Sequence, residues 1–262
     1  MRQAPKRGGV YRTGSNWLLT LLPRKTRQAL LARCDKESLK LGRTLYGISD
    51  RVTHVYLLLS GMISMVIHSP EGGTIEVAAI GNEGVVGTHV ALGAERSPWR
   101  AIVQIEGEAL RMSAQDFRAA MARHAALADL THRFAHALTV QISQSVMCNG
   151  LHPIEQRICR WLLMAHDRAG TDQMQLTQEF VAQMLGVRRA TVTVAAGMLQ
   201  KAGFVDYSRG RVTILDRKGL EETACECYRA VNRELVSLMG APGPAGKRVR
   251  HRTDVPPRRA IL

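Results

Sequence analysis

The spacing of hydrophobic and polar positions changes several times along the chain, and each change marks a unit. Residues 16–33, NWLLTLLPRKTRQALLAR, set apolar side chains at helical spacing, with Pro23 interrupting the run. Over 37–112 the pattern shortens to β-rich runs: HVYLLLSG (54–61), MISMVIHS (62–69), TIEVAAIG (74–81), RAIVQIEG (100–107) and EALRM (108–112). Glycines punctuate their ends at Gly47, Gly61, Gly73, Gly81, Gly84, Gly87 and Gly107, and SPEGG (69–73) is a hairpin signal between two of them. This predicts a compact antiparallel roll or barrel.

Helical spacing returns at Ser113, which with Asp116 three residues on is close to a capping box. A longer helix is expected from about Ala125 to Met147. It carries Leu127, Leu130, Phe134, Ala137, Gln141 and Ser145 at 3–4 spacing. That stripe suits a dimer seam or a helix lying on the roll; the seam is preferred, because a long helix joining two units has few other ways to cover its apolar side. Gly150 and Pro153 are expected to end it. An amphipathic helix follows over 152–170, with Ile158, Trp161, Leu162 and Ala165 on one side, and a charged helix is expected over 218–239.

The most informative pattern is LTQEFVAQMLGVRRATVTVAAGML (176–199). Thr177 is an N-cap candidate for a helix over 178–185. Ala182 is small where two helices meet, and Gly186 supplies the permissive backbone of a sharp turn. A second helix starts near Arg188, with Val192, Ala195, Ala196 and Leu199 forming one buried stripe. This is a helix-turn-helix pattern. GFVDYSRGRVTILDR (203–217) then predicts two short strands around an SRGR turn, a wing.

These residue types suit a duplex. Arg188 and Arg189 stand at the N-terminal end of the second helix, and arginine reads guanine O6 and N7 as well as phosphate. Thr191 and Thr193 flank the outward face, while outward Ala190 and Val194 offer only apolar contact to thymine methyls. Thr177 and Gln178 place backbone amides and a hydroxyl where a phosphate would sit. Arg209 and Arg211 in the wing are phosphate contacts or solvated turn residues, and the preceding helices favour the first reading.

Charge points the same way. Among 262 residues there are 36 Lys and Arg against 22 Asp and Glu, a net +14. Residues 1–12 carry four basic groups and no acid, and 240–262 carry six basic groups and one acid, so the two ends supply +9 of the net +14. These ends read as solvated tails or as tails that attract a polyanion. No apolar run is long enough for a membrane span, and the basic N-terminus lacks the apolar segment of a secretory signal. Five cysteines, an odd number without a CxxC pair, fit reduced thiols in a cytoplasm. No P-loop, GxSxG, HExxH or Gly-rich dinucleotide fingerprint is present, so no enzyme is expected. A rival to DNA binding is a sensor module whose helical unit engages protein.

The Gly-punctuated roll, the long helix and the winged helix-turn-helix together resemble the Crp/Fnr family of bacterial transcription regulators over about residues 16–220. WLLMAHDR, LTQEF, LGVRR, RGRVTILDR and CECY look most like a branch whose effector is not established. The resemblance implies an α+β fold: a basic tail (1–15), a cyclic-nucleotide-binding-like β-roll (16–122), a dimerisation helix (123–150), a winged helix-turn-helix (151–220), a C-terminal helix (221–239) and a disordered basic tail (240–262). It implies a homodimer on a palindromic DNA operator, an effector pocket in the roll and RNA polymerase as a further partner. Arg189 falls where the family places a base-reading arginine. Ala190 and Val194 replace two other reading positions, which implies a different operator.

The family's phosphate cassette maps here onto Gly87-Thr88 at its start and Arg96-Ser97 at its end. Arg96 and Ser97 are the residues that would hold a cyclic phosphate. Thr88 replaces the carboxylate that would hold the ribose, and the loop is two residues shorter, which weighs against cyclic AMP and for Arg96 as an exposed loop residue. Iron–sulfur sensing as in oxygen-sensing members needs several N-terminal cysteines, and none precedes Cys34. Cys225-x-Cys227 is a metal or oxidation site or a pair of incidental thiols; one intervening residue within a helix would turn the thiols to different faces, so the second is preferred. His132 and His136, four apart, lack an evident third ligand. No metal site is therefore predicted.

Overall fold

The computed structural model describes residues 14–240, so the predicted tails lie almost wholly outside the described residues. Two short helices open the chain, α1 (Trp17–Leu21) and α2 (Arg24–Leu31), with Pro23 as the N-cap of the second. Asn16 pins them down: its Oδ1 accepts from Leu19 N at 3.2 Å, and its Nδ2 donates to the Leu58 and Gly84 carbonyls at 3.0 and 2.8 Å.

The strands are β1 (Asp35–Leu39), β2 (Thr44–Tyr46), β3 (His54–Leu58), β4 (Met62–His68), β5 (Thr74–Ile80), β6 (Val85–Val86), β7 (Arg100–Ile105) and β8 (Gly107–Ser113). They form two antiparallel four-stranded sheets, ordered β1-β8-β3-β6 and β2-β7-β4-β5. Val55, Leu57, Ile63, Met65, Ala78, Ile80, Val103 and Met112 fill the roll between them. The SPEGG signal closes the β4–β5 hairpin, where Ser69 N donates to Gly73 O at 2.8 Å. Each predicted run contains a strand. β1, β2 and β6 carry too few apolar residues to show in the pattern.

Helix α3 (Ala114–Arg123) begins at Ser113, whose Oγ accepts from Asp116 N at 3.0 Å and donates to the Asp116 carboxylate at 2.8 Å. Helix α4 (Ala125–Leu151) runs straight through Gly150. The expected end at Gly150 is therefore corrected. Pro153 alone stops the helix, by forcing its predecessor His152 into extended backbone (φ −103°, ψ 143°). The six-residue stripe of α4 is buried, as expected, but the roll covers most of it: Leu127, Leu130, Phe134 and Ala137 join the roll core, Gln141 Oε1 accepts from Ala79 N at 2.7 Å, and the last residue, Ser145, accepts from Arg160 at 3.0 Å.

The C-terminal unit comprises α5 (Ile154–Ala169), β9 (Gln173–Gln175), α6 (Gln178–Leu185), α7 (Arg189–Lys201), β10 (Val205–Ser208), β11 (Arg211–Ile214), α8 (Arg217–Thr223) and α9 (Cys227–Met239). Ile158, Trp161, Leu162 and Ala165 are buried in its core, joined by Met62, Val66 and Ala79 from the outer side of the roll. Polar contacts cross the same boundary. Trp161 Nε1 donates to Glu76 at 3.1 Å, and Arg168 and Glu83, both buried, form an ion pair at 2.6 Å.

The single helix expected over 218–239 is corrected to α8 and α9. Asp216 caps α8, accepting from Gly219 N at 3.1 Å, and the chain then turns extended at Ala224 (φ −63°, ψ 147°). Cys225 sits in the link and Cys227 is the first residue of α9. The argument that a helix turns these two thiols apart therefore fails, and with it the basis for predicting no metal site.

Candidate nucleic-acid interface

Three segments build one exposed surface. Thr177 caps α6, its Oγ1 accepting from Phe180 N at 3.1 Å. Gly186 ends α6 in the left-handed region (φ 63°), which lets the chain turn into α7. A Cβ there would lie 2.9 Å from Ile75 Cδ1, so the turn also rests against the β4–β5 hairpin. Arg188 is the N-cap of α7, with no side-chain cap bond. Val192, Ala195, Ala196 and Leu199 are buried as expected, and this leaves Arg188, Arg189, Ala190, Thr191, Thr193 and Val194 exposed, Val194 to 62%.

The helices are cross-linked at this end. Thr193 Oγ1 donates to Gln178 Oε1 at 2.7 Å and lies 3.1 Å from Arg189 O. The structure thus joins Thr193, Gln178 and Arg189, and engages the Thr193 hydroxyl in setting α6 against α7.

The wing is a two-residue hairpin. Arg209 (φ 50°) and Gly210 (φ 75°) both have positive φ, the geometry that matches the twist of paired strands. Strand β9 completes a three-stranded sheet, a strand too short at three residues for the sequence to reveal. Leu176 N donates to Gly210 O at 2.9 Å, and a Cβ on Gly210 would sit 3.3 Å from Thr177 Cγ2. Exposed Arg209 and Arg211 therefore flank the start of α6. Tyr207, whose hydroxyl donates to Leu176 O, secures the wing from behind.

A groove of about 560 Å³ runs between this unit and the roll, lined by Gly72, Gly73 and Thr74 on one side and Gly186, Arg188 and Thr191 on the other.

The roll residues do not converge in the same way. Gly87 and Thr88 are buried at the start of a short 3-10 turn. Arg96 is exposed and donates to Ser49 O at 2.7 Å. Ser97 is buried, but its hydroxyl donates to Trp99 O at 2.6 Å, within its own loop. The sequence missed His89, a buried ring set edge-on to Tyr46 (5.8 Å) and Trp99 (5.7 Å). Burial lowers its pKa, and neither ring nitrogen has a hydrogen-bond partner among the described residues. His132 and His136 are both exposed on α4.

Comparison with known proteins agrees with this geometry. Residues 36–124 match the cyclic nucleotide-binding domain model, and residues 156–223 match the Crp-like helix-turn-helix domain model. The transcriptional regulator SdrP of Thermus thermophilus is 24% identical over 182 residues, covering 68% of this chain and 87% of that protein. Among solved structures, FixK2 from Bradyrhizobium japonicum superposes with a TM-score of 0.63 at 16% identity, over 73% of this chain and 98% of its own. A CRP-family transcriptional regulator from Thermus thermophilus gives 0.60 at 19% identity, over 72% and 96%. Among the described residues, no helix is long and apolar enough to cross a membrane.

Proposed function

The chain belongs to the Crp/Fnr family of DNA-binding transcriptional regulators, and from that premise we propose that it binds a palindromic operator as a homodimer. The observation that carries this reading is the joined surface of Arg188, Arg189, Thr191, Thr193, Thr177, Gln178, Arg209 and Arg211 on α7, the start of α6 and the wing, exposed throughout except for half-buried Gln178. Arg189 is the base reader. The wing arginines and the α6 N-terminus hold phosphate and set the register, as backbone contacts do in duplex recognition.

Dimerisation is supported by a second stripe on α4. With the first stripe spent on the roll, His132, His136, Thr139, Ser143, Val146 and Gly150 remain exposed at 3–4 spacing along one side. Val146 is 70% exposed. That is the spacing of a helix–helix seam. RNA polymerase is the further partner that the family implies, and the reaction chemistry of an enzyme has no place in this reading. The roll is a scaffold or a sensor for something other than a cyclic nucleotide, since Ser97 is closed on its own loop and Arg96 faces outward. Selection of bound duplexes from a randomised library, with untagged full chain and no added ligand, tests the proposal. An enriched palindrome with half-sites about one helical turn apart is expected. Bound fragments with a single half-site would overturn the dimeric reading, and no enrichment by folded protein would overturn binding without effector.

A further inference from the structure

Away from the DNA-facing surface, four side chains meet where α4 ends and α9 begins. Cys148 lies in the last turn of α4 and His152 is the C-cap of that helix. Cys225 comes from the α8–α9 link and Cys227 from the start of α9. Their Sγ and ring-nitrogen atoms all lie within 4.8 Å of one another. The three cysteines are buried. We propose that Cys148, His152, Cys225 and Cys227 bind one zinc ion.

Three observations carry this. The first is spacing. Zinc bonds of about 2.3 Å to sulfur and 2.0–2.1 Å to nitrogen, in a tetrahedron, set neighbouring ligands about 3.8 Å apart for two sulfurs and about 3.6 Å for sulfur and nitrogen. Cys148 Sγ and Cys225 Sγ are 3.6 Å apart, and Cys227 Sγ and His152 Nδ1 are 3.6 Å apart. An iron–sulfur cluster would place thiolates on different irons, which spreads them beyond a set this tight. The second is the outer partner. His152 turns Nδ1 to the sulfurs and sets Nε2 3.2 Å from Glu226 Oε1. A metal-bound histidine characteristically donates its other ring N–H to a carboxylate, which fixes tautomer and ring orientation. The third is charge. Three thiolates and a neutral imidazole around Zn²⁺ leave one net negative charge. Two buried guanidinium groups stand beside that charge: Arg157 donates to Asn149 Oδ1 at 2.9 Å and Arg160 to Ser145 Oγ at 3.0 Å, residues one and three positions from Cys148.

Three cysteines and one histidine form a closed set with no position left for substrate, as in structural zinc sites. The ion would clip the end of α4 to the start of α9, the joint between the long helix and the C-terminal unit. Tyr228, next to Cys227, continues the connection to α5 through its 2.8 Å bond to Asp167.

The test is metal content of the untagged full chain, expressed with zinc and purified with reductant. About one zinc per chain is expected, and cobalt in its place should give the visible absorption of a tetrahedral thiolate site. Cys148→Ser, Cys225→Ser and Cys227→Ser should each lose the ion, while Cys34→Ser and Cys159→Ser keep it. If the ligand variants do not fold, Glu226→Gln still decides, because Glu226 is exposed and its carboxylate meets the imidazole at 3.2 Å without being a ligand. Its zinc affinity, measured against a competing chelator, should fall about 10- to 100-fold. Reduced, folded wild-type chain that takes up neither zinc nor cobalt would overturn the proposal. So would unchanged zinc affinity in Glu226→Gln, or a Cys148–Cys225 disulfide in protein kept reduced with zinc.

Discussion

Arg189 is exposed in the first turn of α7, and its backbone carbonyl lies 3.1 Å from Thr193 Oγ1. If its guanidinium grips a guanine edge with two bonds, Arg189→Ala should cost about 1–3 kcal/mol of discrimination between operator and mismatched duplex. Competition binding reads this, and an equal loss on every sequence would make Arg189 a phosphate contact. A second residue couples the molecule to pH. Burial pushes the Glu76 carboxyl up to about 7, against the opposing pull of hydrogen bonds from Ser64 and Trp161. An unfolded glutamate titrates near 4.5. Between those values the folded chain holds a proton that the unfolded chain has lost. Stability from this group is therefore greatest below about pH 4.5 and falls as pH rises to about 7, by about 3 kcal/mol in all. Glu76→Gln should remove that part of the decline. Urea midpoints of both proteins at about pH 5 and pH 8 check it; parallel pH dependence would show that Glu76 titrates normally.

Among the elements, α4 bears most on assembly. Its exposed stripe is mostly small and polar, with Val146 the one large apolar side chain on it. If the proposed homodimer meets along this stripe, Val146→Arg would set like charges against each other across its two-fold seam. Sedimentation velocity should show a shift toward monomer with operator binding weakened, and an unchanged dimer would move the seam elsewhere. The elements also differ in how far the sequence disclosed them. The helix-turn-helix was legible because its signals are local: a cap at Thr177, a turn glycine at Gly186 and a buried stripe within one helix. The face of α4 was ambiguous, because two stripes share the 3–4 spacing and only the fold shows which one the roll takes. The thiol cluster was hidden for a different reason. Cys148 and Cys225 are 77 residues apart, and the extended Ala224 that turns Cys225 inward carries no glycine or proline to announce it. In the roll, Arg96 and Ser97 were visible as residue types, but only the structure shows their bonds to Ser49 and Trp99.

At the scale of the whole molecule, the roll and the C-terminal unit share a boundary that is partly apolar and partly charged. Met62, Val66 and Ala79 supply the apolar part. Arg168 supplies the charge: its guanidinium meets Glu83 at 2.6 Å, and its Nη1 donates to Met164 O at 3.0 Å. Removing one member of such a pair strands the other in a low-dielectric interior. Glu83→Gln or Arg168→Met should each cost about 3–5 kcal/mol of stability, while the double variant should recover most of that loss. Thermal or urea unfolding of the three variants closes the cycle, and additive losses would show that the two charges do not depend on each other.

The same pair constrains how the gene can drift. A codon change at position 83 alone, or at 168 alone, leaves a buried charge without its counterpart. A change at both exchanges one tolerable interior for another. Descendants of this chain should therefore hold the two positions fixed together or replace them together, and a survey of related genes should show them changing as a unit although they stand 85 residues apart.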